Sequence, residues 1–337
     1  MQADKILIRG PNWVGDAVLA IPAIKAVREH FSTADITLLV RPWVAGLFTS
    51  APFIDKVWSE DKPSSLADWT RITRDIRLRH FDLAILLPNS FESALMIFLG
   101  GVRHRIGYAT DARRWMLTNA VAPGEGPRHQ TQYYLDLVKI FSAGIVAPSV
   151  EIQATSEERA SARRLLSDEG VPREAKFLVL NPGAAYGSAK RWHVDRFAAV
   201  ADSLAYELQL HVALIGSQHE RPIAEQIRNR MTAPAAILTG RTSLETLIGV
   251  LAESCLMITN DSGPMHIAAA LGVPTVAVFG STDERVTGPC GPRTRIVKNP
   301  VECSPCLLRD CPIDHRCMNG VTVDDVCNAA RNLIGAG

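Results

Sequence analysis

Residues 256–279, LMITNDSGPMHIAAALGVPTVAVF, decide the fold. Residues 256–259 predict a short buried strand, and the polar residues after them predict a turn. Pro264 suits the first turn of a helix, where its missing N–H would have no partner in any case. The apolar residues that follow predict the helix, which Gly272 and Pro274 end. Because a second strand comes almost at once, the stretch predicts a strand–turn–helix–strand unit.

The helix of this unit starts on Asp261-Ser262-Gly263. Its first backbone N–H groups have no partner within the helix, and this end of the helix dipole is positive. The turn can therefore hold an anion such as a diphosphate. An ordinary capped helix, with Asp261 or Ser262 as the N-cap, explains the same residues. The motif alone leaves both interpretations open.

The size and composition of the chain predict a two-domain protein of the cytoplasm. Its 337 residues suit two domains of about 150 residues each. A hydrophobic fraction of 47% and a charged fraction of 21% are typical of globular proteins, and a net charge of +1 gives no general attraction for nucleic acid. We see neither a secretion signal nor an apolar run of about 18 residues, so any membrane contact should be peripheral, at the inner face of the inner membrane.

Strand and helix patterns alternate along the chain, which predicts parallel sheets with helices on both faces. A strand at residues 5–9 leads through a loop into a helix at residues 17–30. Pro22 lies within that helical pattern and predicts either a kink or a later start of the helix. The loop has no Gly-x-Gly-x-x-Gly pattern, which argues against a nicotinamide dehydrogenase.

The alternating pattern restarts after a linker that begins at residues 147–149, Ala-Pro-Ser. We therefore predict an α/β protein of two Rossmann-like α/β/α domains, residues 1–150 and 151–337. Two such domains in tandem predict that they face each other across a cleft, in which a ligand binds at the carboxyl ends of the strands.

Three motifs connect the chain with a known family: RGPNWVGDAV at residues 9–18, NPG and KRW at residues 181–183 and 190–192, and NDSGPMH at residues 260–266. With them, nearly the whole chain resembles the bacterial ADP-heptose:lipopolysaccharide heptosyltransferases, which are glycosyltransferase family 9 with the GT-B fold. Residues 11–13, Pro-Asn-Trp, and residues 303–306, Cys-Ser-Pro-Cys, are more similar to the second heptosyltransferase of inner-core assembly than to the first.

The resemblance implies transfer of L-glycero-D-manno-heptose from ADP-heptose to heptosyl-Kdo2-lipid A in the lipopolysaccharide core. Residues 1–150 would bind the acceptor and residues 151–337 the ADP-sugar, with a final helix in a position to pack back toward the N-terminal domain. It also implies inversion at the anomeric carbon, without a metal or cofactor. Transfer at the first or a later heptose step, another GT-B nucleotide-sugar enzyme, and a binding module without catalysis are the alternatives.

Two residues are the candidates for catalysis. Inversion by direct displacement needs a base for the acceptor hydroxyl and a partner for the departing diphosphate. Asp16 follows Gly15 in the first loop and would be the base, although an aspartate here could equally act as an N-cap. Lys190, on a glycine-containing loop, would contact the diphosphate, although a solvated surface lysine is the simpler explanation.

The remaining donor contacts that the family pattern implies lie in the second half of the chain. Ser262, Gly263 and the helix N–H groups would hold phosphate oxygens, whereas Asp261 would bind heptose hydroxyls because its charge repels phosphate. Contacts also expected with the donor or its surroundings involve Ser188, Gly216, Glu220 and His266. Glu220 could bond the ribose or lie on the surface, and His266 could support the site or be a buried structural histidine.

The acceptor carries carboxylates and phosphates, so basic residues should lie near the catalytic base. Arg103, Arg105 and Arg113, read as loop residues, are the candidates, although such charges are commonly solvated. Trp13 could stack on a sugar, with core packing as the alternative. These four residues form the predicted acceptor site.

Four of the seven cysteines fall in one short segment, at Cys303, Cys306, Cys311 and Cys317. Their spacing would allow tetrahedral zinc, but four-cysteine sites usually come as paired short spacings. Structural zinc, disulfides and reduced thiols therefore stay open, whereas we expect no catalytic metal.

Overall fold

The computed structural model describes residues 3–141 and 149–335. The chain divides into two compact units, Met1–Val150 and Glu151–Gly337. Residues 147 and 148 of the predicted linker lie outside the described residues.

The first unit alternates strands with helices, and its elements are named in chain order. They are β1 (Lys5–Arg9), α1 (Val14–Leu19), α2 (Ile21–His30), β2 (Asp35–Val40), α3 (Pro42–Ala45), β3 (Lys56–Ser59), α4 (Leu66–Arg79), β4 (Leu83–Leu86), α5 (Phe91–Leu99), β5 (His104–Tyr108), β6 (Asn119–Val121) and α6 (Gln130–Val138).

The second unit repeats the alternation. Its elements are α7 (Ser156–Asp168), β7 (Phe177–Asn181), α8 (Val194–Leu208), β8 (His211–Leu214), α9 (Arg221–Arg228), β9 (Ala235–Ile237), α10 (Leu244–Glu253), β10 (Leu256–Asn260), α11 (Gly263–Ala270), β11 (Thr275–Phe279), α12 (Glu284–Thr287), β12 (Thr294–Lys298), α13 (Arg316–Asn319) and α14 (Val323–Gly335).

Each unit contains one parallel sheet of six described strands. The order is β3-β2-β1-β4-β5-β6 in the first unit and β12-β11-β10-β7-β8-β9 in the second. Read from its own first strand, each sheet has the order 3-2-1-4-5-6 of a dinucleotide-binding fold. The order reverses between β1 and β4 and again between β7 and β10. At such a reversal the loops leave toward opposite faces and open a crevice at the carboxyl ends of the strands.

Apolar runs form the central strands because helices cover both faces of each sheet. Every residue of β4, β7, β10 and β11 is buried. The sequence pattern predicted these strands because a run buried on both faces is apolar throughout. Strands β5, β6 and β12, toward the outside of the sheets, were not predicted from the sequence, since they mix polar with apolar residues.

The helix predicted at residues 17–30 is two helices. Ala20 separates α1 from α2, and Pro22 stands in the first turn of α2. Proline is tolerated there because the first N–H groups of a helix have no partner within it. Of the two predicted outcomes, the structure therefore has the later helix start, with Pro22 in the first turn of α2.

The last helix, α14, packs within the second unit. Val326, Cys327, Ala330 and Leu333 are buried in one cluster with side chains of α8 such as Phe197. Burial of a leucine or valine side chain stabilises a fold by about 1.5–3 kcal/mol. The C-terminal helix is therefore part of the core of this unit.

Across the described part of the chain, no helix combines the length and the apolar character that crossing a bilayer requires.

The contact between α7 and α10 provides a test of the packing. Gly249 of α10 lies against the backbone of Glu158, so an added Cβ would stand 2.1 Å from the Glu158 carbonyl oxygen. Alanine gains about 1 kcal/mol in helix propensity over glycine, whereas overpacking costs about 1–3 kcal/mol. Because 2.1 Å is far inside van der Waals contact, Gly249→Ala should lower the free energy of unfolding by about 1–2 kcal/mol in urea titration.

Gly335→Ala is the matched control, since among the described residues no neighbouring element lies within 4 Å of the Cβ it would add at the end of α14. It should leave the free energy of unfolding unchanged or slightly higher. Equal stability of the two variants would show that α7 and α10 are not packed this closely.

Candidate functional site

The predicted site residues lie mostly in the loops where the strand order reverses. In the first unit, Asp16 follows β1, and the loop of Pro88 and Asn89 follows its neighbour β4. In the second unit, the loop after β7 and residues 261–263 after β10 occupy the equivalent positions. Each unit therefore has polar groups at its own crevice.

In the first unit the crevice contains a cavity of about 270 Å³. Its walls come from the loops after β1 and β4 and from α6. The lining residues are Pro11, Asn12, Trp13, Asp16, Leu87, Pro88, Asn89, Gln130 and Tyr134. A mixed lining with a few convergent polar groups is typical of a binding site for a small molecule.

Asp16 lies in the first turn of α1 and is partly exposed to this cavity. The N-cap position belongs to Trp13, so the alternative in which Asp16 caps the helix is wrong. Burial, and next the negative charge of Asp16, raise the pKa of Tyr134 well above its ordinary value. The carboxylate thus lies beside a neutral phenol and opposite open space, where an acceptor hydroxyl could reach it.

Trp13 is 62% exposed, which excludes the core-packing alternative. Beside it, Trp43 is also exposed and donates its indole N–H to the carbonyl oxygen of Asn12 at 2.7 Å. Two exposed indoles flank the loop that carries Asp16. Stacking of a sugar on Trp13 stays a prediction.

Arg113 does not reach the surface. It is fully buried, and burial lowers the pKa of its guanidinium. Its Nε donates to the carbonyl oxygen of Tyr108 at 2.9 Å, and its Nη2 donates to Asn89 Oδ1 at 3.2 Å. Because a side chain without exposed surface cannot touch an acceptor, the prediction of direct contact is wrong. Arg113 instead positions Asn89 in the cavity wall.

Arg103 and Arg105 lie at the opposite edge of the same sheet from Asp16. Arg103 precedes β5 and Arg105 is its second residue, so both are at the amino end of a strand parallel to β1. Arg105 donates through Nε to the carbonyl oxygen of Met116 at 2.6 Å and lies 5.3 Å from the ring centroid of Phe98. The prediction that Arg103 and Arg105 bind the acceptor near the catalytic base is therefore wrong. Arg103 is a loop residue as predicted, but it precedes β5, and Arg105 lies within β5, a strand that the sequence pattern did not indicate.

In the second unit, Lys190 and Asp261 form an ion pair. Lys190 Nζ lies 2.6 Å from Asp261 Oδ2, and the hydroxyl of Thr282 donates to the same oxygen at 2.6 Å. Asp261 and Thr282 are buried, and the lysine side chain is largely covered. The surface-lysine alternative is excluded, since Lys190 is held at the start of α11 beside the first residues of that helix.

Polar side chains also fix the two loops of this crevice. Asn260 Nδ2 donates to the carbonyl oxygen of Pro182 at 2.7 Å, and its Oδ1 accepts from the backbone N–H of Trp192 at 3.0 Å. Ser262 stands at the N-cap position of α11 but makes no cap bond, because its hydroxyl accepts from Asn181 Nδ2 at 2.5 Å. The first N–H groups of α11 thus receive no bond from the Ser262 side chain.

Glu220 lies between the loops that follow β7 and β8. Its Oε2 accepts from the backbone N–H of Ser217 at 2.7 Å. An added Cβ at Gly183 would stand 1.9 Å from Glu220 Oε1, and one at Gly216 would stand 3.0 Å from Oε2. A side chain at residue 183 would displace this carboxylate, so Gly183 of the NPG motif leaves room for Glu220 in its present position.

Two further residues predicted near the ADP-sugar are engaged elsewhere or buried: Ser188 has another partner, and His266 is 5% exposed. The hydroxyl of Ser188 donates to Asp310 Oδ1 at 2.6 Å, which ties it to the segment that carries the cysteines. His266 is buried in α11, as its structural alternative expects. Gly263 is the first residue of α11.

The cysteine segment, residues 303–317, packs over the loop that carries Lys190. The backbone N–H of Ala189 donates to the carbonyl oxygen of Arg309 at 2.8 Å, and Tyr186 donates to that of Leu307 at 2.8 Å. All the cysteines are free thiols, Cys303 exposed and Cys317 buried. Within residues 3–141 and 149–335, no cluster of three or more His, Cys, Asp or Glu side chains is arranged to hold a metal ion.

Sequence reasoning did not identify Thr282, Asn89 or Tyr134. A signal existed for the first two, since polar residues come soon after the buried strands β11 and β4. Tyr134 gave none, because it lies on α6, far along the chain from Asp16.

Replacing the Thr282 hydroxyl should test the buried ion pair. Thr282→Val removes a hydrogen bond to a charged oxygen, so we expect the free energy of unfolding to fall by about 1.5–3 kcal/mol. Thr282→Ser keeps the hydroxyl and is the control. Urea titration of both variants measures the difference, and a valine variant as stable as the serine variant would show that the bond is not made.

The comparisons with known proteins agree with this architecture. Residues 69–316 match the model of glycosyltransferase family 9 (heptosyltransferase). A lipooligosaccharide heptosyltransferase 2 of Campylobacter jejuni is 29% identical over 334 residues, which cover 98% of each chain.

Two solved structures share the fold over almost their full length. A glycosyl transferase of family 9 from Veillonella parvula has a TM-score of 0.88 at 21% identity, covering 99% of this chain and 98% of that one. The E. coli ADP-heptose LPS heptosyltransferase II has a TM-score of 0.84 at 24% identity, covering 98% and 99%. The predicted GT-B fold is thereby confirmed. The chain belongs to glycosyltransferase family 9, the heptosyltransferase family.

Proposed function

We propose that the protein transfers L-glycero-D-manno-heptose from ADP-heptose to heptosyl-Kdo2-lipid A, as the second heptosyltransferase of the lipopolysaccharide inner core. The observation that carries the proposal is the Lys190–Asp261 pair at the start of α11. A cation and a helix N-terminus at the point of strand reversal suit the diphosphate of a nucleotide sugar. The relatives named for heptose transfer supply the sugar in this proposal.

In the proposed reaction, Asp16 takes the proton of an acceptor hydroxyl. The acceptor oxygen then attacks the anomeric carbon of heptose with the electron pair of its former O–H bond. At the same time, the bond from that carbon to the diphosphate oxygen breaks. Attack opposite the leaving group inverts the anomeric centre, and ADP departs with the bonding electrons. No metal or cofactor takes part in this proposal, because Lys190 and the N–H groups of α11 stabilise the charge that develops on the diphosphate.

Donor binding would rearrange the ion pair. Lys190 would donate hydrogen bonds to phosphate oxygens as well as to Asp261. Asp261, which still accepts from Thr282, would then also accept hydrogen bonds from heptose hydroxyls. This exchange keeps the buried carboxylate supplied with donors, which it needs because an unpaired buried charge is costly. Glu220 would bond the ribose, with Gly183 and Gly216 leaving room for it.

The proposal places the enzyme in the cytoplasm, with peripheral contact at the inner face of the inner membrane. Its partners are ADP-heptose and a Kdo2-lipid A-type acceptor, and nucleic acid is not among them. The first or a later heptose step, or a different GT-B nucleotide-sugar reaction, is the alternative.

Single-turnover transfer from ADP-heptose tests the proposal with two acceptors, Kdo2-lipid A and the same molecule carrying one heptose. Transfer to the heptosylated acceptor alone is the expected result. Transfer to the bare acceptor alone would make the protein an enzyme of the first step. ADP binding without transfer to either acceptor would overturn heptose transfer and leave another nucleotide-sugar reaction.

Asp16→Asn separates binding from catalysis. The amide keeps the shape of the carboxylate but cannot accept the proton, so turnover should fall about 100-fold or more. Donor affinity, measured by titration calorimetry with ADP, should stay within a few-fold. Undiminished turnover would remove Asp16 from the mechanism.

Lys190→Ala should weaken donor binding and turnover together, because the lysine contacts the diphosphate in both the ground state and the transition state. Titration calorimetry with ADP and single-turnover transfer measure the two effects. Wild-type affinity for ADP in this variant would contradict the assigned contact.

A further inference from the structure

Asn12, in the cavity wall beside Asp16, is held on two sides. Arg9 Nη2 donates to its side-chain oxygen Oδ1, and the indole of Trp43 donates to its backbone carbonyl oxygen at 2.7 Å. Arg9 is the last residue of β1 and is only 3% exposed. The position of the Asn12 side chain is therefore fixed from the core.

The bond from Arg9 also fixes the orientation of the Asn12 side-chain amide, with Oδ1 toward Arg9 and Nδ2 away from it. A guanidinium only donates, so Asn12 must present its oxygen to Arg9 and keep its NH2 group for another partner. Among the described residues, Asn12 Nδ2 has no hydrogen-bond partner. Asn89 differs, since its Oδ1 accepts from Arg113 while its Nδ2 already donates to the hydroxyl of Tyr133 at 2.7 Å. Asn12 is thus the asparagine of this cavity whose donor is available to a ligand.

Positive charge accumulates behind Asn12. Arg41 and Lys62 share the carboxylate of Glu92, at 3.0 and 3.4 Å, and Arg9 adds a third cation. Burial, and next the like charge of Arg41, lower the pKa of Arg9 to about 9, while Glu92 acts in the opposite direction. The carboxylates of Glu92 and of Asp16, which lines the same cavity, offset two of these three cations. The remaining positive charge on the Arg9 side of the cavity favours a negatively charged group there.

The polarity of the subsite follows from these two features. A neutral hydroxyl could use the NH2 group of Asn12 but would gain little from the charge behind it, whereas an anionic oxygen uses both. Asp16 lines the same cavity, so the anion at Asn12 is a neighbour, on the same saccharide, of the hydroxyl that Asp16 deprotonates.

We propose that Asn12 Nδ2, oriented by Arg9 and Trp43, binds an anionic oxygen of the acceptor saccharide and so selects acceptors with a carboxylate or phosphate beside the reacting sugar. Asn12 is the binding residue, and Arg9 is a positioning residue that acts through it. The inference rests on the proposed transfer to a Kdo-containing acceptor but concerns a contact that saccharide binding alone can reveal.

The test compares Asn12→Asp with the wild-type protein by titration calorimetry, using the heptosylated Kdo disaccharide without lipid A and without the ADP-sugar. The substitution keeps the shape of the side chain but replaces the NH2 donor with a charged acceptor. We expect binding of the free-acid disaccharide to weaken about ten-fold or more, the effect of losing a hydrogen bond to a charged group. Affinity for ADP should not change.

The charge of the probe identifies direct contact. Methyl esterification of the disaccharide carboxylates should weaken binding to the wild-type protein, but it should weaken binding to Asn12→Asp much less. The same comparison of the two proteins is made with a phosphorylated and an unphosphorylated disaccharide. If only the phosphate changes the affinity of the wild-type protein more than that of Asn12→Asp, the bound group is a phosphate. Equal effects of esterification and of phosphorylation on both proteins would overturn the proposal.

Two controls separate this contact from misfolding and from failure of the proposed function. Asn229→Asp makes the same charge change at an exposed residue of the second unit and should bind the disaccharide as the wild-type protein does. Asn12→Asp should unfold at the wild-type urea midpoint or above it, since the new carboxylate can pair with Arg9. If the wild-type protein transfers no heptose but the binding differences appear, the proposed transferase activity is overturned and the subsite is kept. If the wild-type protein binds no disaccharide, the proposed subsite is overturned.

Discussion

The reversal of strand order between neighbouring parallel strands is the constraint on which both sites depend. Between β1 and β4, and again between β7 and β10, the connections leave toward opposite faces of the sheet. No loop can then cover the carboxyl ends of these strands, and a crevice opens there. Asp16 and Asn89 meet at the first crevice, and the residues after β7 and β10 meet at the second. The backbone topology thus determines where the polar residues of both sites lie.

Buried charges hold the walls of these crevices. Arg113 has no exposed surface and donates to the loop after β4, while Arg9 donates to the loop after β1. In the second unit, Asp261 holds Lys190 and is itself held by Thr282. Burying a charge is costly unless hydrogen bonds satisfy it, so each of these groups enforces one local arrangement. A rigid wall lets a few polar atoms keep the positions that binding and proton transfer need.

Much of the fold was predictable because its central strands are buried on both faces. Continuous apolar runs such as residues 83–86 and 275–279 indicate such strands directly, and the turn at Asp261 with Pro264 indicates the start of α11. Strand β5 has no such signal, since its first residues, His104 and Arg105, are polar and charged. That omission led to the wrong placement of Arg103 and Arg105. The error in Arg113 has another cause: several of its partners are backbone carbonyl oxygens, which any sequence supplies.

The sequence by itself determined the family, the GT-B fold, the loops that carry the site and the identity of Asp16 and Lys190 as candidates, because these follow from local patterns and from motifs of adjacent residues. Tertiary structure alone decided which charges face a ligand. Arg113 is buried, Asp261 pairs with a lysine 71 residues away, and Arg9 turns the amide of Asn12 toward the cavity. The Lys190–Asp261 pair joins residues distant in the chain, and the burial of Arg9 and Arg113 depends on the packing of all the elements around them. A local sequence pattern contains neither.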